Sequence, residues 1–251
     1  MKKTIPVGIV LIAMLAAATA VCASDTTVSL GIKMWANTWK ETARQEGGVT
    51  RNFDNGSALM TGPSISARFS NNWFAGITYL TALGDYESSG WFATGDKMMF
   101  ERTDLDLLAG YLLHDPLNDL NFGLFAAYKT IDAPAFYTNG AAGLNNAEVG
   151  TWKLRGPGLG VLLEKPLDGA TALSASVAYL FLEQEFAFSS GSVSRFDTRG
   201  WDLEFSAAHA FTKAISATVG IRFQRFKGDT ENGDAITDSF SGLTAGIAYT
   251  F

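Results

Sequence analysis

Apolar and polar residues alternate along almost the whole chain with a period of two. In the last segment, every second residue from Leu243 to Phe251 is apolar or aromatic, and the residues between them are small or weakly polar. The same alternation runs from Val28 to Met34 and from Ile215 to Phe223. A period of two indicates β-strands whose two faces differ in chemistry. The chain is therefore predicted to be all-β.

Ten strands are predicted, each with an apolar face opposite a face that carries polar or charged residues. Their approximate bounds are 26–40, 58–70, 72–87, 98–114, 118–132, 148–166, 171–188, 195–212, 214–228 and 236–251. Strands in soluble proteins average only about five or six residues. The predicted strands are nearer the roughly 9–11 tilted residues that cross a bilayer, with the apolar face towards lipid. The predicted fold is a transmembrane antiparallel up-and-down β-barrel of about ten strands, with eight as the alternative.

The connections between the predicted strands alternate in length. Four are tight, with the sequences SNN, HDPLND, PLDGA and FTKA, and the others are longer and rich in Gly, Asn, Ser or Asp. Aromatic residues fall near the strand ends: Trp73, Tyr111, Phe211 and Phe251 at one end, Trp201 and Phe223 towards the other. Short turns on one side and aromatic girdles at both interfaces are typical of outer-membrane barrels, whose termini are periplasmic.

Two Gly-Pro pairs interrupt the strand pattern, at Gly62-Pro63 and Gly156-Pro157. In the sixth strand the apolar positions also change parity between Leu154 and Leu159. Proline removes a donor from the β-ladder, and a change of parity is what an extra residue in one strand produces. The two pairs therefore predict β-bulges or the flaring rim of the barrel, and the change of parity favours a bulge in the sixth strand.

The chain opens with the segment MKKTIPVGIVLIAMLAAATAVCAS. Its positive head, short apolar stretch and small residues before Ser24 are those of a secretory signal peptide. Residues 1–23 are therefore predicted to be a signal peptide and residues 24–251 to be the barrel domain. A lipoprotein signal that uses Cys22 is a weaker alternative, because Val21 is bulky for the position before a lipidated cysteine.

Removal of this segment changes the composition in two ways. The one cysteine leaves with it, so the exported chain has no disulfide framework. Without Lys2 and Lys3 the 19 basic residues become 17 against 25 acidic ones, and the formal net charge goes from −6 to −8. An acidic chain without a basic cluster argues against nucleic acid as a partner.

On its signal segment, strand pattern and last strand, the chain resembles the small outer-membrane β-barrel proteins of Gram-negative bacteria. The resemblance implies a location in the outer membrane, with lipid and lipopolysaccharide as surroundings. It also implies that the barrel-assembly machinery reads the last strand, with Ile247, Tyr249 and Phe251, as a signal. A soluble periplasmic β-protein is the alternative, and the oligomeric state stays open.

Nine charged residues fall on the predicted lumen face. They are Lys33, Arg68, Arg102, Asp104, Asp106, Lys129, Asp202, Glu204 and Arg222. Hairpin register about the FTKA turn places Glu204 opposite or diagonal to Arg222, and register about HDPLND brings Asp104 or Asp106 to Lys129. Because buried charge must be paired or hydrated, these residues are predicted to form an internal ion-pair network rather than a catalytic pair of acids.

Catalytic chemistry finds little support in the sequence. Omptin-like proteases and barrel-type lipid A deacylases resemble this outline and use a histidine near the outer rim. The histidines of this chain, His114 and His209, adjoin the tight HDPLND and FTKA turns and are therefore predicted at the periplasmic end. No enzymatic activity, cofactor or metal site is predicted. The segment from Asp229 to Asp234 gathers oxygen groups but does not match a calcium loop.

Two functions remain open for such a barrel. Small lumen residues favour a narrow, porin-like polar passage for ions or small solutes: Ser64, Ser66, Gly76, Thr78, Ser174, Ser176, Thr244 and Gly246. Bulky lumen residues favour a closed barrel, because barrels of about eight to ten strands are usually filled by side chains: Trp35, Trp39, Phe74 and Phe125. The prediction is a non-enzymatic cell-envelope barrel with at most a narrow pore. The alternative is a closed barrel that acts through its extracellular loops as an adhesin, receptor or envelope-stabilising protein. An omptin-like or lipid-modifying outer-membrane enzyme is the less favoured third function.

Overall fold

The computed structural model describes residues 26–44, 50–89, 96–117, 119–139, 144–229 and 235–251, without the side chains of 88, 89, 96, 138, 139 and 144–147. Twelve strands are present in these residues. They are β1 (Thr27–Arg44), β2 (Thr50–Arg68), β3 (Trp73–Ala82), β4 (Tyr86–Ser89), β5 (Asp96–Phe100), β6 (Thr103–Asp115), β7 (Leu120–Asn139), β8 (Leu144–Pro166), β9 (Thr171–Phe188), β10 (Val193–Ala210), β11 (Ile215–Asp229) and β12 (Ala235–Thr250). The predicted signal peptide lies outside the described residues.

Ten of these strands form a closed antiparallel barrel. β1 pairs with β2 on one side and with β12 on the other, so that Ile32 has both Pro63 and Ile247 as partners. The short strands β4 and β5 prolong β3 and β6 and are inserted between β2 and β7. The predicted all-β, up-and-down barrel of ten strands is thereby confirmed. No helix in the described part of the chain is long and apolar enough to span a membrane.

The strand bounds differ from the predicted ones mainly at one end of the barrel. β2 begins at Thr50 and β7 extends to Asn139, so both are longer than predicted. The predicted strands 72–87 and 98–114 are each interrupted, at 83–85 and at 101–102. The connections at 69–72, 116–119, 167–170 and 211–214 share an end with the start of β1, where the Phe251 amide donates to the Val28 carbonyl. We call this the short-turn end and the opposite one the long-loop end.

The outward faces of the ten barrel strands form an apolar belt next to the short-turn end. Its side chains include Ile32, Leu124, Leu159, Phe205, Val219 and Leu243, all exposed. About nine residues of each strand lie within it, which at about 3.3 Å a residue and about 40° of tilt gives a height of about 23 Å. Beyond it the outward residues become polar, as at Lys40, Arg155 and Arg225. The belt therefore has the height of a hydrocarbon layer.

The bulges predicted at the Gly-Pro pairs are wrong. The ladder between β7 and β8 is continuous from Ala135 opposite Gly150 to Asn121 opposite Glu164, and β1 and β2 keep their register past Pro63. The parity change in β8 has another cause. Trp152 and Leu154 are buried inside the barrel, whereas Leu159 faces outward in the belt. Apolar residues thus fill the lumen above the belt, where the sequence pattern implies polar ones.

A bulge does occur between β1 and β2, at Trp39. Thr38 pairs with Ser57 and Lys40 with Asp54, so Trp39 alone faces Asn55 and Gly56. Gly56 has a φ of 78°, a left-handed conformation that glycine adopts readily. The extra residue reverses the parity of β2, so Phe53 and Asn55 turn into the lumen.

Candidate functional site in the barrel lumen

Six charged residues form a layer across the middle of the lumen, which we call the charge layer. Its members are Arg102, Asp104, Asp106, Lys129, Asp202 and Arg222. Three are cations and three are carboxylates, so the layer is neutral as a whole. Asp106 stands directly opposite Lys129 in the ladder between β6 and β7. Arg102 and Asp104 are two residues apart, and Asp202 and Arg222 lie on the adjacent strands β10 and β11. The contact between Arg222 and Asp106 crosses the lumen.

Two arginines hold the carboxylates of the charge layer with bidentate geometry. Arg102 donates to Asp104 through Nε and Nη2, both at 2.6 Å. Arg222 donates to Asp202 through Nε at 2.9 Å and Nη2 at 2.6 Å, and to Asp106 at 2.7 Å. Such paired, charge-assisted hydrogen bonds fix the positions of both partners.

Lys129 and Gln224 join the two arginine groups. The Lys129 ammonium contacts Asp106, and it lies 3.4 Å from Asp202 and 3.8 Å from Asp104. Gln224 accepts a hydrogen bond from Arg102 at 3.0 Å and donates one to Asp202 at 2.8 Å. Every member is therefore linked to the others. Gln224 is an inward residue whose role the charge pattern alone did not indicate.

Two further ion pairs lie between the charge layer and the short-turn end. Lys33 on β1 reaches across the lumen to Glu204 on β10, with its ammonium 2.6 Å from Oε1. Near the end of the barrel, Arg68 on β2 forms an ion pair with Glu164 on β8. The predicted register of Glu204 opposite Arg222 is observed. Arg222 and Glu204 nevertheless form no ion pair with each other, because Arg222 binds Asp202 and Asp106, and Glu204 binds Lys33.

Four members of the charge layer are nearly inaccessible to solvent, and two are partly exposed. The side chains of Arg102, Asp104, Lys129 and Arg222 are 0%, 1%, 2% and 6% exposed, whereas those of Asp106 and Asp202 are 20% and 14% exposed. Taking ions out of water costs several kcal/mol each, and the cost is recovered only where partners and hydrogen bonds are complete. The connected network supplies such partners, except that Nη1 of Arg102 has no hydrogen-bond partner among the described residues. At this height the cross-section of the lumen is filled by side chains.

An aromatic plug covers the charge layer on its long-loop side. It consists of Trp35, Trp39, Phe100, Trp152, Phe226 and Phe240, all buried. Trp39 stacks on Trp152 at 5.4 Å and on Phe240 at 5.3 Å between ring centroids, and meets Phe100 edge-on at 4.7 Å. These pairs lie within the range of favourable aromatic geometries. The plug therefore adds a second closed layer to the lumen.

The lumen below the charge layer is lined by smaller groups. Most of the small residues predicted there are partly exposed, including Ser64, Thr78 and Gly246. Phe125 narrows the space from β7, and a Cβ atom on the facing Gly160 would stand only 2.2 Å from its ring. Lys33 and Glu204 are each 22% exposed and Asp106 is 20% exposed, so solvent enters from the short-turn end as far as the charge layer. The result is a polar well with a closed floor.

A pair of carboxyl groups lies above the plug, at the long-loop end. Glu41 on β1 and Asp238 on β12 stand directly opposite each other, and both side chains are buried. The Trp39 indole donates a hydrogen bond of 2.9 Å to Asp238. Burial, followed by the charge of Asp238, raises the pKa of Glu41 to about 9, and burial raises the pKa of Asp238 to about 7.

The sequence pattern does not predict Glu41 as a lumen residue, because the predicted first strand ends at residue 40. Its odd number places it on the same face as Lys33 and Trp35, which was the available signal. Asp238 likewise shares the even parity of Thr244 and Gly246.

The two histidines lie at the short-turn end, as predicted. His114 Nδ1 is 2.9 Å from Oδ1 of Asn121, and His209 Nδ1 is 3.1 Å from the Thr171 hydroxyl. Both side chains are exposed and far along the barrel from Glu41 and Asp238. Among the described residues, no group of three or more His, Cys, Asp or Glu side chains is arranged to hold a metal ion.

Comparison with solved structures assigns the architecture. The outer membrane protease OmpT from Escherichia coli superposes with a TM-score of 0.65 at 15% identity, over 92% of this chain and 98% of that one. This is the fold of a Gram-negative outer-membrane β-barrel. The translocator domain of the autotransporter NalP from Neisseria meningitidis gives a TM-score of 0.47 at 14% identity, with 98% and 96% of the chains covered. Neisserial surface protein A gives a TM-score of 0.38 at 14% identity, over 88% of this chain and 97% of that one.

The comparisons in sequence give no such match. No protein-family model matches the barrel sequence, and no curated protein matches it. At 15% identity the similarity to OmpT concerns the barrel fold alone.

Proposed function

We propose that this protein is a closed, non-enzymatic barrel of the Gram-negative outer membrane that acts through the surface it exposes at the long-loop end. The observation that carries the proposal is the sealed lumen. The charge layer and the aromatic plug occupy successive cross-sections, and all their side chains are buried except those of Asp106 and Asp202, which are 20% and 14% exposed. In such a barrel the strands hold the protein in the membrane, and the long-loop end presents the surface that contacts other molecules.

The packed lumen favours the closed barrel over the narrow pore. The small residues that suggest a passage lie mostly in the lower half, where they line the polar well. An ion that entered this well would meet the floor formed by Arg222, Asp106 and Asp202. Passage would require the displacement of bidentate hydrogen bonds and of the stacked rings above them.

The apolar belt supports a location in the outer membrane, with the short-turn end and both ends of the barrel domain in the periplasm. Residues 1–23 would direct export. The outward residues Ile247, Tyr249 and Phe251 would then be the signal that the assembly machinery reads on β12. All three side chains are exposed on the lipid-facing side of the barrel.

A cationic patch just beyond the belt supports lipopolysaccharide as a partner. Arg199 on β10 and Lys227 on β11 are directly opposite each other, and Arg225 is opposite Trp201 at the belt edge. Lys40 lies two strands further on, and all four cations are exposed. Lys227 also forms an exposed ion pair with Asp229 at 2.9 Å. Like charges directly opposite each other repel, and a phosphate between Arg199 and Lys227 relieves the repulsion that remains. At the edge of the outer leaflet the available phosphates are those of lipopolysaccharide. Among the proposed roles, the patch therefore favours envelope stabilisation.

The site chemistry supports a non-enzymatic role. The protease name belongs to OmpT, and this chain shares with it the barrel fold. Both histidines of this chain lie at the short-turn end. The two buried carboxyl groups at the long-loop end, Glu41 and Asp238, are too deeply buried to meet a macromolecular substrate.

Single-channel recording of the refolded protein in planar bilayers tests the sealed lumen. We expect no discrete current steps, with a conducting barrel under identical conditions as the positive control. Uniform steps that shift in ion preference on Lys33→Gln would overturn the proposal, because that residue borders the well.

A separate experiment tests the contact with lipopolysaccharide. Thermal stabilisation by added lipopolysaccharide should be lost in Arg199→Gln/Arg225→Gln and kept in Arg195→Gln, whose partners are Glu183 and Glu185.

A further inference from the structure

Three polar side chains converge where the last strand of the barrel closes against the first. Glu41 comes from β1, its direct partner Asp238 from β12, and Asn55 from the bulge of β2 on the other side of β1. They are 6%, 1% and 0% exposed. We call the junction of β12, β1 and β2 the seam. Three neighbouring strands thus each contribute one buried oxygen-bearing side chain to one place.

Each of these side chains has an oxygen atom without a partner. Oε1 of Glu41, Oδ2 of Asp238 and both amide atoms of Asn55 are buried and form no hydrogen bond within the part of the chain that the structure describes. The Asn55 amide lies close enough to the Glu41 carboxyl to lower its pKa slightly, but no hydrogen bond of ordinary geometry joins them. An unpaired buried polar group lowers the stability of the folded state, because it gives up its hydrogen bonds to water and gains none in the protein. Such a concentration of unpaired oxygens in a well-packed interior points to a ligand.

The charge of this group is also unbalanced. Neither Glu41 nor Asp238 forms an ion pair within the described residues. The cation that acts on Asp238 through space is Arg102, and its guanidinium is held by Asp104 in the charge layer. The other polar neighbour of Asp238 is the neutral Trp39 indole. Ionisation of both groups, whose pKa values are raised by burial, would therefore leave two directly opposed carboxylates without the two positive charges that neutralise them.

We propose that Glu41, Asp238 and Asn55 bind one divalent cation of the hard, oxygen-preferring class, with calcium as the best-fitting member. Carboxylate and amide oxygens are the ligands that calcium takes, in flexible sets of six to eight oxygens. The three side chains offer up to five oxygens, and water would complete the set. Magnesium demands a near-ideal octahedron, and softer metals prefer histidine or cysteine, which this group lacks.

The location gives such an ion a structural consequence. A cation held by the three side chains would join β12, β1 and β2 beyond the apolar belt, where lipid does not hold the strands together. The seam unites the first and last strands of the barrel, so the bound ion would oppose its opening from the long-loop end. This inference does not depend on whether the lumen conducts.

Terbium luminescence tests the site directly, because Tb³⁺ replaces calcium and is sensitised by a nearby indole. Trp39, which contacts Asp238, is in position to act as that donor. We expect chelator-treated, refolded protein to show saturable sensitised emission that calcium displaces. Calcium at 100 times its Kd should also raise the melting temperature by about 5–10 °C. Absence of sensitised emission together with a melting temperature indifferent to calcium would overturn the proposal.

Matched variants assign the effect to these residues. Glu41→Gln and Asp238→Asn should each weaken calcium binding more than about 100-fold, beyond the loss typical of outer-shell changes. The control is Glu183→Gln/Asp197→Asn, which neutralises a directly opposed but exposed acidic pair on β9 and β10. It should bind calcium like the parent. Equal weakening in the control would show surface binding and would refute the site.

Replacement of the amide supplies a test in the opposite direction. Asn55→Asp adds a third carboxylate, so calcium affinity should rise about tenfold while the metal-free protein becomes less stable. If the three side chains served only to share protons, the variant would lose stability with or without calcium. That result would contradict the proposal even if every variant folded.

Discussion

The guanidinium of Arg102 lies over the ring of Phe240, with 3.8 Å between its central carbon and the ring centroid. The same guanidinium binds Asp104 with two hydrogen bonds in the charge layer. Arg222, which binds Asp202, likewise lies 5.1 Å from the ring centroid of Trp35. Cation–π contacts of this kind strengthen when both groups are desolvated. The charge layer and the aromatic plug are therefore one packed unit that closes the lumen.

Replacement of Arg102 by leucine should lower the free energy of unfolding by about 3–5 kcal/mol. The change leaves Asp104 charged, buried and without its bidentate partner. The double variant Arg102→Leu/Asp104→Leu should recover much of the loss, because no unpaired charge remains. Reversible urea unfolding in lipid vesicles, followed by tryptophan fluorescence, measures both. As a control, Lys33→Leu should cost roughly 1 kcal/mol or less, since its pair is partly solvated. Equal losses at Arg102 and Lys33 would contradict the sealed layer.

Double-mutant cycles should separate true partners from residues that are merely opposite in register. Arg222→Gln and Asp202→Asn should couple by about 2–3 kcal/mol, because two hydrogen bonds join the parents. Arg222→Gln and Glu204→Gln should couple by less than about 0.5 kcal/mol, although their Cα atoms are paired. A reversal of this order would mean that Arg222 selects its neighbour on the ladder.

Asp202 and Glu204 show which features of the lumen can be predicted from the sequence and which cannot. A period of two and the length of the FTKA turn determine which residues face inward and which are opposite, and both agree with the structure. The choice of ion-pair partner depends on distances across the lumen. Asp106 on β6 competes for Arg222, and Lys33 on β1 competes for Glu204. Those distances follow from closure of the barrel and are not encoded in any one hairpin.

The aromatic plug shows a second limit of the sequence pattern. In a membrane barrel, apolar residues are expected to face lipid. The sequence pattern therefore predicts that Trp152 and Leu154 face outward and that the parity of β8 changes after them. They lie above the belt, where the exterior is polar and the apolar face turns inward as in a soluble barrel. The point at which this inversion occurs depends on the height of the belt relative to each strand. The inward orientation of Asn55 depends on the bulge at Gly56, which the alternation of apolar and polar residues does not indicate.

Metal-free protein should lose stability as the pH rises from about 5 to 9. The pKa of Asp238 is raised to about 7 and that of Glu41 to about 9, each chiefly by burial. In the unfolded chain these carboxyls ionise near pH 4, so above pH 5 the folded state binds more protons than the unfolded state. Stability is then greatest below pH 4 for these groups and falls as pH rises through the folded values.

Urea unfolding at pH 5, 7 and 9 in the presence of chelator measures this dependence. Asp238→Asn should flatten the curve and should make the protein more stable than the parent at pH 9. Glu183→Gln, an exposed outward residue, should leave the slope unchanged. A parental protein whose stability rises between pH 5 and 9 would show that the two carboxyls are ionised and stabilised by a partner.

Deletion of Phe251 should reduce the amount of folded barrel in cells far more than it reduces refolding in detergent. The Phe251 side chain is 64% exposed at the edge of the belt, and its ring meets Tyr249 edge-on at 4.9 Å. Its amide adds one hydrogen bond to the Val28 carbonyl. The deletion removes no lumen contact, so the refolded variant should retain nearly the parental melting temperature. Recognition of the last strand during assembly would lose its terminal aromatic residue.

Heat-modifiable migration on gels measures both yields, in membrane fractions and after refolding from denaturant. Phe211→Ala is the matched control, because that ring is 65% exposed at the same end of the barrel but lies in the turn before β11. It removes a similar interfacial aromatic without touching the last strand, and it should assemble like the parent. If both variants assemble poorly in cells, interfacial anchoring explains the loss. If both assemble normally, Phe251 has no part in the signal. Only a loss confined to the Phe251 deletion supports recognition of the terminal strand.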